Sequence, residues 1–235
     1  MPERVKINKG ARRLTALAIL MLITVSSQGQ KKISFGLHAD PVVSWFGSNI
    51  NEVSNDGSRA GFCFGLAFNR YFSPNYSFST GINLMTAGGR LTGTDSIHLD
   101  LPNFKYKEAV VAPGKTVIYK VQYVSIPLGL KLQTNQIGYL TVFADAGIDP
   151  KVAIGGKLDV PSLDIKGENA GSELRMFNLS YHITAGIEYG LGGNTAFVAG
   201  LGFENNFLDV TKDSKDDLSD IITQKIISFR LGVNF

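Results

Sequence analysis

The sequence predicts an all-β protein: an eight-stranded antiparallel up-and-down transmembrane β-barrel that follows an N-terminal signal peptide. Three features of the sequence support this fold class. The first residues form a basic and then apolar leader, and from Lys31 onward bulky apolar residues alternate with small or polar ones. The segments between the alternating stretches are long and short in turn, which is typical of such barrels.

The composition favours strands and excludes several other classes of protein. Apolar residues make up 44% of the 235 residues, and charged residues make up 18%, below the usual share of about a quarter. The 26 glycines are about 11% of the chain, against about 7% in typical proteins. A single cysteine, Cys63, excludes an intramolecular disulfide framework and every multi-cysteine metal site.

The positive net charge is confined to the leader. The whole chain carries +3, and residues 1–29 carry five basic side chains against one acidic side chain, so the remainder carries −1. The positive charge of the chain therefore does not indicate a nucleic-acid-binding surface, and no nucleic-acid partner is predicted.

Residues 1–29 have the three zones of a secretory signal peptide. A basic stretch ends at Arg13, an apolar run extends from Leu14 to Val25, and small residues follow at Ser27 and Gly29. The run is too short for a membrane anchor, which needs about 20 residues. The sequence predicts cleavage after Gly29, export through the inner membrane and a barrel domain over residues 30–235.

The alternation has a period of two, as in strands with one buried face. In the last segment Ile227, Phe229, Leu231 and Val233 share one face, and small or polar residues share the other. The predicted strands are residues 33–46, 58–72, 76–91, 116–133, 138–154, 173–189, 195–207 and 221–235.

The predicted connections favour a membrane barrel over a soluble β-sandwich or lipocalin-like barrel. Long connections at 47–57, 92–115, 155–172 and 208–220 alternate with short ones at 73–75, 134–137 and 190–194. Outer-membrane barrels have short periplasmic turns and long external loops, whereas a soluble sandwich has no reason to alternate in this way.

Aromatic residues gather at the two ends of the predicted strands, as in the interfacial girdles of membrane barrels. The girdle at the short turns is predicted to contain Phe35, Tyr71, Phe72, Tyr76, Tyr139, Tyr189 and Phe235. The opposite girdle is predicted to contain Trp45, Phe46, Phe177 and Phe207.

The segment from Tyr123 to Lys131 resembles a strand motif of small outer-membrane barrels of the Bacteroidetes, a family that includes PorT-like proteins. The likeness is carried by Tyr123, Ile126, Pro127, Leu128 and Lys131. The segment departs from the motif at Ser125, where an acid is common, and at Gly129. The resemblance implies an outer-membrane location and a shared fold rather than a shared activity, although some members resemble components linked to secretion and gliding.

Pro127 also has a physical interpretation of its own. Proline removes one ladder donor, so it predicts a bulge or a locally broken pair within the fourth strand. Its parity places it on the lumen side of the barrel.

Six charged residues share the parity of the lumen: Asp40, Lys131, Asp145, Glu188, Glu204 and Arg230. Side chains fill the interior of an eight-stranded barrel, so these ions are predicted to pair. Barrel closure places Asp40 and Arg230 at similar heights along the barrel. Lys131 and Glu188 both lie near the end with the short turns. We therefore expect a plugged lumen and no open pore.

The sequence shows no catalytic, cofactor-binding or metal-binding constellation. His38, His98 and His182 have no metal-ligand spacing. Ser180, His182 and Glu188 have the residue types of a hydrolase, but Glu188 is six strand residues from His182, about 20 Å away. The acid-rich segment Asp209–Asp217 lacks the glycine and final glutamate of a calcium loop and is interpreted as a solvated loop. Weak divalent or lipopolysaccharide-bridging contact is the remote alternative.

These features predict a non-enzymatic outer-membrane protein. Its external loops, above all 92–115 and 155–172, would bind a partner, or the barrel would serve an envelope or secretion assembly. An outer-membrane enzyme acting on lipid or protein and a narrow solute channel are the alternatives. The predicted partners are outer-membrane lipids and lipopolysaccharide, the barrel-assembly machinery and an unidentified envelope protein.

The last strand resembles the terminal signal that the assembly machinery reads as an added strand. Phe229, Leu231, Val233 and Phe235 supply its alternating apolar side chains and its aromatic carboxy-terminus. Strand addition would supply main-chain hydrogen bonds, and the alternate side chains would supply specificity.

Overall fold

The computed structural model describes residues 33–48, 53–101, 108–212 and 221–235. The predicted signal peptide lies outside the described residues, and so does most of the acid-rich segment Asp209–Asp217. No helix in the described ranges is long and apolar enough to cross a membrane.

Nearly all described residues lie in strands, because the period-two alternation continues through most of the chain. The strands are β1 (Ile33–Ser48), β2 (Val53–Gly57), β3 (Arg59–Ser73), β4 (Tyr76–Gly93), β5 (Ile97–Asp100), β6 (Glu108–Val111), β7 (Thr116–Ser125), β8 (Leu128–Gln133), β9 (Leu140–Val160), β10 (Ile165–Asn169), β11 (Phe177–Gly192), β12 (Thr195–Asn206) and β13 (Ile222–Asn234). A single 3-10 turn, Pro161–Leu163, joins β9 to β10.

Nine of the strands form a closed antiparallel ring with eight positions, each called a stave, and β7 and β8 together occupy one of them. The ring confirms the predicted fold class. The order around the ring is β1, β3, β4, β7 with β8, β9, β11, β12 and β13, and β13 pairs with β1 to close it. Closure leaves no free edge within the ring.

The fourth stave is broken where the sequence places proline. The predicted strand 116–133 is divided into β7 and β8 by Ile126 and Pro127. The backbone N–H of Ile126 donates instead to the carbonyl of Pro150, at 3.1 Å. The missing donor of proline accounts for the break.

Two ends of the barrel are distinguished by their connections. Turns of two to six residues, at 74–75, 134–139 and 193–194, join the staves at one end. Short turns lie on the periplasmic side of outer-membrane barrels, so this end is called the lower end and the opposite end the upper end.

The long upper connections are more ordered than the sequence predicts. The predicted loop 47–57 contains β2, which pairs with β4, and the predicted loop 92–115 contains the hairpin β5–β6. The predicted loop 155–172 contains the end of β9 and β10, which pair with each other. These three long connections therefore contain short strands that the predicted set of eight strands does not include.

The outer wall of the ring is apolar, as the alternation requires. Exposed Phe, Leu, Ile and Val side chains cover it, including Phe35, Phe64, Phe78, Leu130 and Ile183. In water such an area would be a strong aggregation hazard, whereas in a bilayer it faces acyl chains.

Two predicted girdle residues point inward instead. Phe46 is fully buried, and Tyr71 donates through its hydroxyl to Gln133 Oε1 at 3.1 Å. Each follows or precedes an aromatic neighbour, Trp45 or Phe72, and successive strand residues point to opposite faces. Only one member of each pair can therefore face lipid.

The interior has two parts with different chemistry. The lower part contains charged and polar side chains. The upper part contains an apolar cluster that the sequence analysis did not expect and that is called the cap core. Its buried members are Val42, Phe46, Cys63, Met85, Ala87, Leu91, Leu99, Leu101, Ala109, Val111, Val117, Tyr119, Val121, Tyr123, Leu158, Val160, Ile165, Ala170, Leu174, Val210, Ile222 and Ile226.

Candidate functional site

The lower interior brings ten titratable side chains together and is called the lumen charge network. Its members are His38, Asp40, Lys131, Asp145, Asp149, Lys151, His182, Glu188, Glu204 and Arg230. All six lumen charges expected from parity lie in it. Sequence reasoning missed Asp149 and Lys151, although both share the parity of Asp145 on the same strand.

Asp40 lies where the first and last strands close the barrel. The regular pairing of β1 with β13 holds at His38–Gly232 and again at Val42–Ser228, and it is interrupted between them. Pro41 lies in the interruption and has no N–H to donate to the ladder.

The carboxylate of Asp40 takes over the pairing at this seam. Its Oδ1 accepts the backbone N–H of Leu231 at 3.2 Å. Its Oδ2 accepts Arg230 Nε at 3.3 Å and lies 2.8 Å from His38 Nδ1. The side chain is almost completely buried, so these charged contacts act in a medium that screens them weakly.

Across the lumen, His182 lies between two carboxylates of β9. Its Nδ1 is 2.8 Å from Asp149 Oδ2, and its Nε2 is 3.5 Å from Asp145 Oδ1. Ser79 of β4 donates its hydroxyl to the same oxygen of Asp145 at 2.8 Å. Both ring nitrogens can donate to these acids only in the imidazolium form. The group therefore links β4, β9 and β11 through charge-assisted hydrogen bonds.

Two lysines pair with glutamates above and below this group. Lys131 of β8 contacts Glu188 of β11, and Asn234 Nδ2 donates to the same glutamate at 2.8 Å. Lys151 of β9 contacts Glu204 of β12, which also accepts the Ser180 hydroxyl at 2.7 Å. Each pair joins two staves across the barrel, so the ions reinforce the register of the ring.

The free space in the lower lumen is small. The cavity among these side chains measures about 90 Å³, whereas ligand pockets measure roughly 300–1,000 Å³. A volume of this size holds a few water molecules at most. The cap core closes the space above it.

The residue types of a hydrolase do not form a relay here. The hydroxyl of Ser180 donates to Glu204, and His182 is engaged by Asp145 and Asp149. A serine nucleophile needs a hydrogen bond to its base. The two side chains instead belong to separate ionic groups.

One further cluster has the residue types of a metal site. His38, Asp40 and Cys63 place their potential ligand atoms within 4.8 Å of one another. Sequence spacing did not reveal this group, because Cys63 reaches it as the cross-strand partner of Asp40 on β3. The guanidinium of Arg230 already contacts Asp40, and a cation at the same carboxylate would have to displace it.

The upper connections close the barrel mouth from above. Leu99, Ala109 and Val111 of the β5–β6 hairpin are buried in the cap core together with residues of the barrel wall. Within the mouth, Phe46 and Tyr119 form an edge-on aromatic pair with ring centroids 6.0 Å apart. Burial of this hairpin converts a predicted loop into a folded lid over the lumen.

A closed ring of eight antiparallel strands, with an apolar outer wall and ions in its lower interior, defines an outer-membrane barrel protein. The sequence agrees over most of its length, since residues 26–212 match the outer membrane protein beta-barrel domain family. The chain belongs to this family, and its location is the outer membrane.

Several solved structures are similar to this chain at low sequence identity. Neisserial surface protein A is 10% identical, with a TM-score of 0.47, over 88% of this chain and 98% of its own. Ail of Yersinia pestis is 12% identical, with a TM-score of 0.42, over 86% and 97%. OprG of Pseudomonas aeruginosa is 11% identical, with a TM-score of 0.43, over 89% and 99%. No curated protein matches the sequence.

Proposed function

We propose that the protein is a closed, non-enzymatic outer-membrane scaffold that presents its folded upper end to an envelope or extracellular partner. The observation that carries the proposal is the burial of the β5–β6 hairpin in the cap core. Ordering a loop costs conformational entropy. Because this hairpin is already folded, a partner that binds it would not incur that cost, so the hairpin offers a preformed binding surface.

The interior argues against the two alternative functions. A solute channel needs a continuous water-filled path, and this lumen is filled by ion pairs below and by apolar side chains above. An enzyme needs a nucleophile or an activated water next to an accessible substrate space, and the cavity of about 90 Å³ is too small to supply one.

A more specific role draws on the strand motif around Pro127. The motif supports a PorT-like member of the Bacteroidetes type that takes part in secretion or envelope assembly. In this proposal the protein reaches the outer membrane after cleavage of residues 1–29, and its mature chain begins at Gln30. The barrel-assembly machinery would recognise Phe229, Leu231, Val233 and Phe235.

Affinity purification of the full-length protein from native membranes tests the partner-binding proposal. Val110 is half-exposed on β6, between the buried residues Ala109 and Val111. Val110→Asp should therefore change the lid surface and spare its core. Ile137→Asp places the same charge on an exposed residue of a lower turn and is the matched control.

We expect one or more co-purified proteins to be lost with Val110→Asp and kept with Ile137→Asp. Equal recovery with both variants would show that the lid is not the binding surface. A partner lost only with Ile137→Asp would place the interaction on the periplasmic side.

A further inference from the structure

We propose that Arg59, Arg90 and Lys120 form a basic pocket on the outer wall that binds the phosphate of an outer-leaflet glycolipid headgroup. The proposal concerns the lipid around the barrel, so it does not depend on the partner proposed for the lid.

The pocket lies directly above the lipid-facing band. On β4 the outward residues run from Phe78 and Leu84 to Arg90, and on β7 they run from Val124 to Lys120. The side chains therefore change from apolar to cationic within a few residues along each strand. Basic residues at the edge of the apolar band lie at the level of lipid headgroups.

Arg59 enters the pocket from the neighbouring strand β3. A Cβ built on Gly88 would lie 3.2 Å from Arg59 Cδ, so the absence of a side chain at Gly88 makes room for the arginine. Gly88 is the cross-strand partner of Lys120, and Arg90 is the partner of Ile118. The three cations thus converge on the outer side of the same strand pair.

Among the described residues, two nitrogens of the Arg59 guanidinium have no hydrogen-bond partner. These atoms, Nε and Nη1, are both buried. A buried donor without a partner costs free energy. A phosphate would satisfy one of these two atoms, because Nε–H and Nη1 point to opposite sides of the planar guanidinium. A two-pronged contact with phosphate would pair that atom with Nη2.

Charge in the pocket is not balanced by the protein residues that the structure describes. Asp159 acts on Arg59 electrostatically and attracts it, whereas Arg90 repels it. The carboxylate of Asp159 is already engaged by Lys120 and by the backbone N–H of Gly167, at 2.7 Å for the latter. Lys157, the cross-strand partner of Lys120, adds a fourth cation, and Asp56, which accepts the Thr116 hydroxyl, adds a second acid. Four cations against two acids leave a net positive site that an anion would neutralise.

The height of the site selects the class of anion. A phosphate on a glycolipid of the outer leaflet is anchored at this level by its acyl chains, which lie against the apolar wall below. A free phosphate has no such anchor. The same chemistry can thus be supplied by two sources, and binding measurements separate them.

The test uses the full-length barrel in nanodiscs, with bisphosphorylated lipid A, dephosphorylated lipid A and inorganic phosphate as probes. The test variant is Arg59→Gln combined with Arg90→Gln. The control is Lys166→Gln, which removes a charge from a highly exposed upper side chain that pairs with the exposed Asp164. Heat-modifiability on unboiled gels verifies folding, and Arg90→Gln alone replaces the double variant if it misfolds.

We expect the double variant to bind lipid A about tenfold more weakly or worse, since it loses charged hydrogen bonds to phosphate. Wild type and Lys166→Gln should bind equally, and dephosphorylated lipid A should bind wild type as weakly as lipid A binds the double variant. Equal lipid A binding by wild type and the double variant would overturn the site. Inorganic phosphate that binds as tightly as lipid A would overturn the assignment to a lipid.

Discussion

The lower and upper parts of this barrel have the same strand pattern and opposite interiors. On β1, Asp40 and Phe46 point to the same face, six residues apart, and both are buried. Asp40 is held by hydrogen bonds to Arg230, His38 and the backbone of Leu231. Phe46 is held by apolar contacts in the cap core. The interior next to this one strand is thus filled by ion pairs in its lower part and by apolar packing in its upper part.

The two parts of the interior contribute to the fold in different ways. Burial of apolar surface stabilises by about 25 cal/mol per Å², so the cap core favours the closed state directly. Buried ion pairs give little net stabilisation, because desolvation offsets their attraction, but removal of one partner is costly. The lumen charge network therefore specifies register and closure, and the cap core supplies stability and seals the mouth.

The largest expected effect is at the seam. Asp40→Ala leaves Arg230 without its partner and removes the acceptor for Leu231 N–H, so we expect a loss of about 3–5 kcal/mol in the free energy of unfolding. Denaturant unfolding in detergent measures the loss. Asp95→Ala, at an exposed upper turn, should change stability by less than about 0.5 kcal/mol. Similar losses for the two variants would contradict the role of Asp40 in closure.

The cap core should respond through volume rather than charge. Phe46→Leu replaces a fully buried aromatic ring with a smaller side chain and removes the aromatic contact with Tyr119. We expect a loss of about 1–1.5 kcal/mol. Phe72→Leu changes an exposed aromatic on the outer wall and is the control, with little expected effect. If both variants lose the same stability, the upper interior is not a packed core.

A smaller effect is expected at the carboxy-terminus, where two aromatics face each other across the seam. Phe235 and Phe35 exchange backbone hydrogen bonds of 2.7 and 3.3 Å, and both rings are exposed on the outer wall. Phe235→Ala and Phe35→Ala should each lose about 0.5–1 kcal/mol in refolding into synthetic bilayers. In cells, only Phe235→Ala should accumulate in the periplasm, because it alone alters the proposed terminal signal. Equal assembly of both variants in cells would refute that signal.

The smallest expected effect is local and depends on pH. Asp159 lies on β9 above the lipid-facing band. Burial alone would raise the pKa of Asp159, but hydrogen bonds from Lys120 and Gly167 outweigh it and lower the pKa below its usual value. A lowered pKa in the folded state stabilises above the unfolded pKa of about 4, and the benefit disappears as the pH falls through the folded value.

Hydrogen exchange of the Gly167 amide measures this effect. Protection should decrease on acidification in wild type and be independent of pH in Asp159→Asn, which keeps an acceptor oxygen but has no titratable carboxylate. Asp164→Asn, at a highly exposed carboxylate nearby, should keep the wild-type pH dependence. If protection of the Gly167 amide in wild type did not change with pH, the assigned role of the Asp159 carboxylate would be contradicted.

The sequence predicts the ring of strands better than it predicts the cap core and the β5–β6 hairpin. Long staves repeat the alternation many times, so the parity of Asp40, Asp145 and Arg230 follows from one strong pattern. The same parity would have identified Asp149 and Lys151. The hairpin β5–β6 has strands of four residues each, too short for an alternation to stand out.

Other features depend on contacts distant in sequence. The position of Phe46 in the cap core depends on a hairpin about fifty residues later in the chain, and the gap that Asp40 fills depends on where β13 meets Pro41. Pattern reasoning sees neither contact. It did expect a break at Pro127, because a missing N–H is a local property.

Single-channel recording of the full-length protein in planar bilayers tests the central claim, a lumen closed by ions below and by an apolar core above. The closed interior predicts a flat current with no discrete openings across the voltage range in which the bilayer itself is stable. Gel heat-modifiability of the same sample verifies that the inserted protein is folded. Reproducible unitary steps from folded wild-type protein would contradict the closed lumen and favour the solute channel.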